Sequence, residues 1–325
     1  MNNLNNLNGK TVVVTGASGY IGSVLIDALV KYSCKIIRVS RNELMPIANT
    51  KSIKADIRNF KIWSEIVAQA DLIYHLAGNT SAYEAAKNPS ESLNSTLLPL
   101  NHLIKAVQIH KCKPRVVFAS TATVYGLTPK FPVAETVEPK QITVYDLHKQ
   151  FAEQQLALAT QQGFLESVSL RLANVYGPST SVSSADDRGI LNKVTLMALQ
   201  GKDLIIYGDG NYLRDYVYID DVVSAFILAG VRQDLGDGVF NVSTGKSITV
   251  DEAFKMVVRK TAIVTGNRVD IKYSPWPSGV SKIELRSYIS DVSSIAVKLG
   301  WRPTTILESG IDRMIDKISE RVKYG

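Results

Sequence analysis

The first regular segment of the sequence is Thr11-Val-Val-Val-Thr15, which runs directly into Gly16-Ala-Ser-Gly19-Tyr-Ile-Gly22. The apolar stretch is typical of a buried strand, and the residues after Gly22 have the periodicity of an amphipathic helix. Gly16 suits the tight turn after the strand, Gly19 lets the backbone approach a pyrophosphate, and Gly22 lets the helix pack closely on the strand. Because the first N–H groups of a helix attract anions, this turn predicts a phosphate site for a dinucleotide. The glycines are spaced three and three residues apart, unlike the two and three of the usual dinucleotide fingerprint.

Strand-like apolar runs alternate with helix-like segments over the first half of the chain. The strands are predicted at Thr11–Val14, Ile36–Val39, Asp71–His75, Arg115–Phe118 and Ser167–Arg171, with helices such as Pro99–His110 and Gln150–Gln161 between them. This alternation predicts an α/β fold, a Rossmann-type doubly wound parallel sheet covered by helices on both faces.

The pattern changes after about Asn174. Short strands, loops and isolated helices follow, at Leu204–Tyr207, Val239–Val242 and Asp251–Lys260. We therefore expect a dinucleotide-binding domain over residues 9–174, to which later segments return, and a smaller C-terminal α/β substrate-binding lobe formed mainly by residues 175–325.

Composition restricts the class of protein. The 325 residues are 45% hydrophobic and 21% charged, which is ordinary for a globular protein. No apolar run approaches the roughly 18 residues of a membrane span, and the polar start lacks the features of a signal peptide, so we expect a cytoplasmic protein with no membrane partner. Cys34 and Cys112 have no metal-ligand spacing, so no metal is expected. The net charge of +7 comes from scattered Lys and Arg, which favours anionic small molecules over nucleic acid as partners.

Hydroxyl side chains are concentrated in residues 119–126, directly after the fourth predicted strand. Open α/β sheets bind their ligands at this carboxyl edge. Further on, Tyr145 and Lys149 are four residues apart, so on a helix they share one face. A phenol with a pKa of about 10 is a poor base at neutral pH, but a nearby ammonium group favours the phenolate. The pair predicts proton transfer, although the same spacing also occurs by chance on helix surfaces.

These segments, together with motifs along nearly the whole chain, resemble the extended short-chain dehydrogenase/reductase family that acts on nucleotide sugars. The resemblance rests on Gly16-x-x-Gly19-x-x-Gly22, Asp56-Ile57, His75-Leu-Ala-Gly78, Ser120–Gly126, Tyr145-x-x-x-Lys149, Arg171-Leu-Ala-Asn-Val-Tyr-Gly-Pro178, Tyr207-Gly-Asp-Gly210, Arg214-Asp-Tyr-Val-Tyr-Ile-Asp-Asp-Val222 and Leu299-Gly-Trp301.

The resemblance implies a role for each site residue. Tyr145 would move the proton of a sugar hydroxyl while hydride passes between the sugar carbon and nicotinamide, and Lys149 would lower the pKa of Tyr145 and hold the nicotinamide ribose. Thr121 would hydrogen-bond the reacting oxygen, with Ser120 and Thr123 as alternatives. The remaining cofactor contacts would come from Gly16, Ser18, Gly19, Tyr20, Ile21, Gly22, Ser40, Arg41, Asp56, Ile57, Leu76, Ala77, Gly78, Leu172 and Val175. The nucleotide-diphosphate sugar would be bound by Ser120, Thr123, Tyr125, Asn174, Arg214 and Arg286.

Two departures from the family pattern bear on the reaction. Where NAD-using relatives carry an acid that binds the adenine ribose, this chain has Ser40 followed by Arg41. An acid would repel a 2′-phosphate, whereas a hydroxyl and a guanidinium would bind one, so NADP is expected. The alternative is that Arg41 points into solvent and NAD binds without its acid. Ala122 and Thr123 stand where the dehydratase branch carries an Asp-Glu pair, which disfavours dehydration.

Three functions remain open at this point. We favour an NADP-dependent reductase that transfers hydride to C4 of a 4-keto nucleotide sugar. The first alternative is a nucleotide-sugar 4-epimerase that retains NAD(P), and a remote one is a non-catalytic protein that senses NADP. By analogy with the family we expect a homodimer, joined through the helices near Pro99–His110 and Tyr145–Gln161, with Ala152, Leu156, Ala157 and Leu158 as contact residues.

Overall fold

The computed structural model describes residues 4–179 and 189–324. The strands are β1 (Thr11–Thr15), β2 (Lys35–Ser40), β3 (Thr50–Lys54), β4 (Leu72–His75), β5 (Arg115–Thr121), β6 (Glu166–Leu172), β7 (Asn174–Tyr176), β8 (Leu204–Tyr207), β9 (Leu213–Tyr218), β10 (Val239–Val242), β11 (Ser247–Thr249) and β12 (Ile271–Ser274). The α-helices are α1 (Tyr20–Leu29), α2 (Phe60–Val67), α3 (Ala82–Lys87), α4 (Pro89–Thr96), α5 (Leu98–His110), α6 (Val144–Gln161), α7 (Ile190–Leu199), α8 (Ile219–Val231), α9 (Val250–Thr265), α10 (Ser293–Leu299) and α11 (Leu307–Tyr324).

Seven parallel strands form the main sheet, in the order β10-β6-β5-β4-β1-β2-β3. The chain order reverses between β1 and β4, which leaves a crevice at the carboxyl ends of these two strands. The sequence prediction of a Rossmann-type doubly wound sheet is therefore confirmed.

Helices cover both faces of this sheet, so its central strands β1, β4 and β5 are buried on both sides. On one face Leu25 of α1, Phe226 of α8 and Trp301 belong to one hydrophobic core. On the other face Trp63 of α2 and Leu156 of α6 belong to a second core. Burying a large apolar side chain contributes roughly 1.5–3 kcal/mol to the free energy of unfolding. The two cores therefore fix the strands whose ends form the crevice.

A smaller lobe is built from a three-stranded sheet, β11-β9-β7, and a two-stranded sheet, β12-β8. Its core lies between these strands and α7, α9 and α11. The strands β7 and β9 are parallel, with Asn174 opposite Tyr216. Strand β6 of the main sheet ends at Leu172 and β7 of the smaller lobe begins at Asn174, so the chain passes from one unit to the other at this point.

The two edge strands of the main sheet come from different parts of the chain. Val239–Val242, which follows Asn174 by many residues, pairs with β6 at one edge. Strand β3 was not predicted at all, because four of its five residues are polar and its side chains are exposed or half-buried at the opposite edge of the sheet. None of the helices in the described residues is long and apolar enough to cross a membrane.

Candidate active site

The glycine turn after β1 packs closely on its own helix. Gly16 has a φ of +70°, a conformation that favours glycine, and a Cβ there would lie 2.8 Å from the backbone nitrogen of Ala77. A Cβ on Gly22 would collide with the carbonyl oxygen of Gly16. The backbone N–H of Gly19 donates to that same oxygen over 2.8 Å. The turn is therefore a cradle in which side chains at Gly16 and Gly22 have no room.

A first cavity, of about 240 Å³, extends from this turn to the end of β2; we call it the β2 cavity. Ser40 Oγ lies 2.8 Å from Ser18 Oγ and accepts a hydrogen bond from the backbone of Asn42. Asp56 is held by Arg58, whose Nη2 donates to Oδ2 over 2.6 Å. The predicted cofactor residues in its wall are Gly16, Ser18, Gly19, Ser40, Arg41, Asp56, Ile57, Leu76, Ala77 and Gly78.

A second cavity, of about 310 Å³, lies at the carboxyl ends of β5 and β6; we call it the Tyr145 cavity. It shares Gly16, Gly19 and Leu76 with the β2 cavity, so the two are continuous. The predicted residues in its wall also include Tyr20, Ile21, Gly22, Ser120, Thr121, Tyr145, Lys149, Leu172, Asn174 and Val175.

A third cavity, of about 380 Å³, continues from Tyr145 towards the smaller lobe; we call it the Arg286 cavity. It is lined by the predicted residues Thr121, Thr123, Tyr145, Asn174, Arg214 and Arg286. Arg286 is 7% exposed and its Nη1 has no hydrogen-bond partner among the described residues. Burial and then the charge of Arg214 lower the pKa of Arg286 to about 10. Two guanidinium groups that face one cavity form a site suited to an anion.

Lys149 is held beneath the cleft by the end of β5. Its Nζ donates to the carbonyl oxygen of Ala119 over 2.7 Å and lies 4.7 Å from the ring centre of Phe118. Burial lowers the pKa of Lys149 to about 8, while the carboxylate of Glu153 raises it. Nζ is also 5.9 Å from the ring centre of Tyr145, so the two residues share one helix face as their spacing predicts.

Tyr145 lies one helical turn before Lys149 and lines both the Tyr145 cavity and the Arg286 cavity. Burial raises the pKa of Tyr145 to about 12, and the neighbouring charge of Asp146 raises it further. The hydroxyl of Thr121 and then the charge of Arg286 act to lower the pKa of Tyr145. The lowering of this pKa by Lys149 stays a prediction.

A polar network supports these residues from below. Ser120 donates to Glu153, and Arg171 Nη2 donates to the same carboxylate over 2.6 Å. The Arg171 guanidinium lies 4.8 Å from the ring centre of Tyr125, whose hydroxyl donates to Asn241 Oδ1 over 2.8 Å. Tyr125 is 1% exposed and lines none of the three cavities, unlike the other residues predicted to bind substrate.

Sequence reasoning missed two carboxyl groups on α6 that act on Tyr145 and Lys149. Asp146 is completely buried and lines the Arg286 cavity, and Glu153 contacts both Ser120 and Arg171. The available signal was helix spacing, because Glu153 follows Lys149 by four residues. His148, in contrast, is a structural residue whose Nδ1 lies 2.9 Å from Ser92 Oγ. Residues 4–179 and 189–324 contain no group of His, Cys, Asp and Glu that could hold a metal ion.

Comparison with known proteins identifies the family to which this chain belongs. A sequence model described as the NAD dependent epimerase/dehydratase family matches residues 12–243. A putative UDP-glucose 4-epimerase of Methanocaldococcus jannaschii is 27% identical over 314 residues, which cover 94% of this chain and 97% of the relative. A dTDP-4-dehydro-6-deoxyglucose reductase of Escherichia coli is 27% identical over 326 residues, with 94% of this chain and 97% of the relative covered.

Solved structures agree in fold over almost the whole chain. The UDP-glucose 4-epimerase of Thermotoga maritima with UDP-glucose has a TM-score of 0.85 and 29% identity, covering 96% of this chain and 99% of that one. MoeE5 in complex with UDP-glucuronic acid and NAD has a TM-score of 0.84 and 29% identity, with the same coverage. The glycine cradle, the continuous cleft and the family match together lead to one conclusion: this chain is an enzyme of the NAD dependent epimerase/dehydratase family.

Proposed function

We propose that the protein is an NADP-dependent reductase of 4-keto nucleotide sugars. The observation that carries the choice of cofactor is the wall of the β2 cavity, where Ser40 and Arg41 stand at the end of β2. The only acid in that wall, among the described residues, is Asp56, and its charge is compensated by Arg58. The charge of Arg41 acts on Asp56 only after that of Arg58, which already holds the carboxylate, so a 2′-phosphate at the end of β2 would meet the Arg41 guanidinium.

The residues of the cleft fit a dinucleotide along its length. The cradle of Gly16, Gly19 and Gly22 would hold the pyrophosphate, and Leu172 and Val175 would flank the nicotinamide. When bound, NADPH supplies the hydride that reduces the sugar carbonyl carbon. Lys149 would hold the ribose hydroxyls from its place beside Ala119.

The protein's own residues then provide the proton. Tyr145 would donate its phenolic proton to the oxygen that becomes the sugar hydroxyl, since a phenol with a raised pKa keeps that proton at neutral pH. Thr121 would hydrogen-bond the same oxygen. Arg214 and Arg286 would bind the diphosphate in the Arg286 cavity, which places the sugar towards Tyr145.

Cofactor exchange tests the proposal directly. The purified protein is denatured, any released cofactor is identified by mass, and the emptied protein is titrated with NADPH and NADH by fluorescence. We expect exchangeable binding with NADPH ahead of NADH. The variant Arg41→Ala should weaken NADPH binding by roughly 10- to 100-fold and leave NADH binding unchanged, because one charge-assisted contact is worth about 1.5–3 kcal/mol.

Lys54→Ala is the matched control, because it removes an exposed cation that pairs with Glu43 at the end of β3. An equal loss of NADPH affinity in Arg41→Ala and Lys54→Ala would show a general effect of positive charge instead of a specific contact with the 2′-phosphate. Tightly retained NAD would contradict the proposal. Turnover is then assayed with NADPH and dTDP-4-dehydro-6-deoxyglucose, and with UDP-glucose in the absence of added cofactor.

A nucleotide-sugar 4-epimerase is the second candidate, and the relatives named as UDP-glucose 4-epimerases favour it. An epimerase oxidises and re-reduces the same carbon, so it needs the cofactor to stay bound through both steps. The same residues, Thr121, Tyr145 and Lys149, would serve that reaction. Conversion of UDP-glucose without added cofactor would identify this function.

We also propose a homodimer joined through α5 and α6. Ile109 of α5 and Phe151 and Leu158 of α6 are 55%, 43% and 54% exposed, so these two helices offer apolar side chains to a partner. Ala152 and Leu156, predicted as contact residues, instead lie in the protein's own core against the sheet. Light scattering of the protein and of Leu158→Asp tests the interface: we expect a dimer and a monomer, respectively, and a monomeric parent protein would contradict it.

A further inference from the structure

Asp146 is the anomalous group in this cleft. Its side chain is 0% exposed, yet neither Oδ1 nor Oδ2 accepts a hydrogen bond of ordinary geometry from the described residues. A buried carboxyl that lacks well-aligned hydrogen-bond donors is expensive, because its desolvation is only partly compensated. It follows Tyr145 directly in α6 and lines the Arg286 cavity. A group this costly beside the reacting centre calls for a functional explanation.

Two threonine hydroxyls lie between Asp146 and the reacting centre. Thr121 Oγ1 and Thr123 Oγ1 are 2.9 Å apart. The Thr121 hydroxyl interacts with Tyr145 and lowers the pKa of that phenol. At the other end, burial raises the pKa of Asp146, while the hydroxyls of Thr123 and Thr143 and the charge of Arg286 lower it. Catalytic hydrogen bonds are often long or poorly aligned before reactants bind, so rotation of the carboxyl towards Thr123 would complete a chain Asp146–Thr123–Thr121 that ends beside Tyr145.

We propose that Asp146 is a positioning residue that sets the direction of this hydroxyl chain and so decides whether Thr121 donates its proton to the reacting oxygen. Each threonine has only one hydroxyl proton to donate. When Asp146 is ionised, Thr123 donates to the carboxylate and Thr121 donates to Thr123. Thr121 then has no proton left for the substrate.

The direction reverses when Asp146 carries a proton. The carboxylic acid donates to Thr123, Thr123 donates to Thr121, and the Thr121 proton is free for the carbonyl oxygen that receives hydride. The titratable and charged groups that line the cavity with Asp146 are Tyr83, Tyr145, Arg214, Glu284 and Arg286. The hydroxyls of Thr123 and Thr143 and the charge of Arg286 favour the ionised form of Asp146. Reduction should therefore be fastest at pH values where Asp146 is protonated.

The first test needs no substrate, so it does not depend on the proposed function. Infrared difference spectra of the full chain are recorded against pH, and the protonated carboxyl band of Asp146 is assigned by its loss in Asp146→Asn. We expect the band to titrate above the ordinary aspartate range and to change frequency in Thr123→Val, which lacks the linking hydroxyl. The exposed Glu138→Gln is the control and should leave the band unchanged. An ordinary aspartate titration, or a band that Thr123→Val does not move, would overturn the proposal.

The second test rests on the proposed function and uses kcat for NADPH-dependent reduction of dTDP-4-dehydro-6-deoxyglucose. In the parent protein kcat should fall by at most about tenfold per pH unit above the ionisation of Asp146. Both Asp146→Asn and Thr123→Val should lose this limb of the profile and keep the separate decline near the Lys149 pKa of about 8. A limb that persists in Thr123→Val would mean that Asp146 acts only through its charge, which contradicts the chain. If no nucleotide sugar is reduced, the proposed function fails, and the infrared test by itself then decides whether the hydroxyl chain exists.

Discussion

Glu153 and Arg171 form an ion pair that is almost completely removed from solvent, with Nη2 and Oε2 2.6 Å apart and side chains 5% and 6% exposed. The pair joins α6 to β6 one helical turn after Lys149. Glu153 also accepts a hydrogen bond from Ser120 at the end of β5. One carboxylate thus links α6 and β5, which carry Tyr145, Lys149 and Thr121, to β6.

Loss of this carboxylate should affect both stability and the pH profile. Glu153→Gln leaves Arg171 buried without its counter-charge, and breaking a buried pair in this way costs about 3–5 kcal/mol of unfolding free energy. Because Glu153 raises the pKa of Lys149, the variant should lose the ammonium form at lower pH. Urea denaturation measures the first effect and the alkaline limb of activity the second. The exposed Glu138→Gln serves as control, and equal stability of the two variants would contradict the expectation.

The glycine cradle predicts a graded response to added methyl groups. A Cβ at Gly22 would collide with the backbone oxygen of Gly16, whereas a Cβ at Gly19 would lie 3.0 Å from that oxygen. Gly22→Ala should abolish cofactor binding or prevent folding, and Gly19→Ala should only weaken binding. Fluorescence titration with NADPH, alongside circular dichroism, distinguishes these results. Normal binding by Gly22→Ala would show that the turn is not packed as described.

Tyr145→Phe should abolish turnover and spare the cofactor. The phenylalanine ring fills the same space but has no proton to donate, so kcat should fall while the NADPH dissociation constant stays within about twofold. Single-turnover assays and binding titrations measure the two quantities. Turnover close to that of the parent protein would remove Tyr145 from its assigned role.

His75 should make the fold sensitive to acid. Burial lowers the pKa of His75 to about 3, compared with about 6.5 for an unfolded chain. Between these values the unfolded state binds more protons than the folded one, so stability falls as pH decreases from about 6.5 towards 3. Urea denaturation at several pH values should show a smaller loss for His75→Gln, which keeps a polar partner for Thr15. If the unfolding free energies of the parent protein and of His75→Gln fell equally with decreasing pH, the acid sensitivity would belong to other groups.

The sequence alone predicted the main sheet and most of the residues that line the cleft, because both depend on short-range sequence patterns. A buried parallel strand is a continuous apolar run, as in Thr11–Thr15, and the glycine positions follow from local steric limits. The spacing of Tyr145 and Lys149 likewise fixes a shared helix face. A segment without such a pattern was missed, namely the polar edge strand β3.

The tertiary structure decided what depends on contacts between distant residues. Only packing shows that Ala152 and Leu156 face the core while Leu158 is exposed. In the sequence, apolar residues that pack on the helix's own sheet have the same spacing as apolar residues that contact a partner. Only packing places Tyr125 against Arg171 and Asn241 and leaves it out of the cleft wall. Asp146 is an ordinary polar residue in the sequence. Its burial beside Tyr145, in the wall of a cavity that Arg286 also lines, makes it a candidate for control of the reaction.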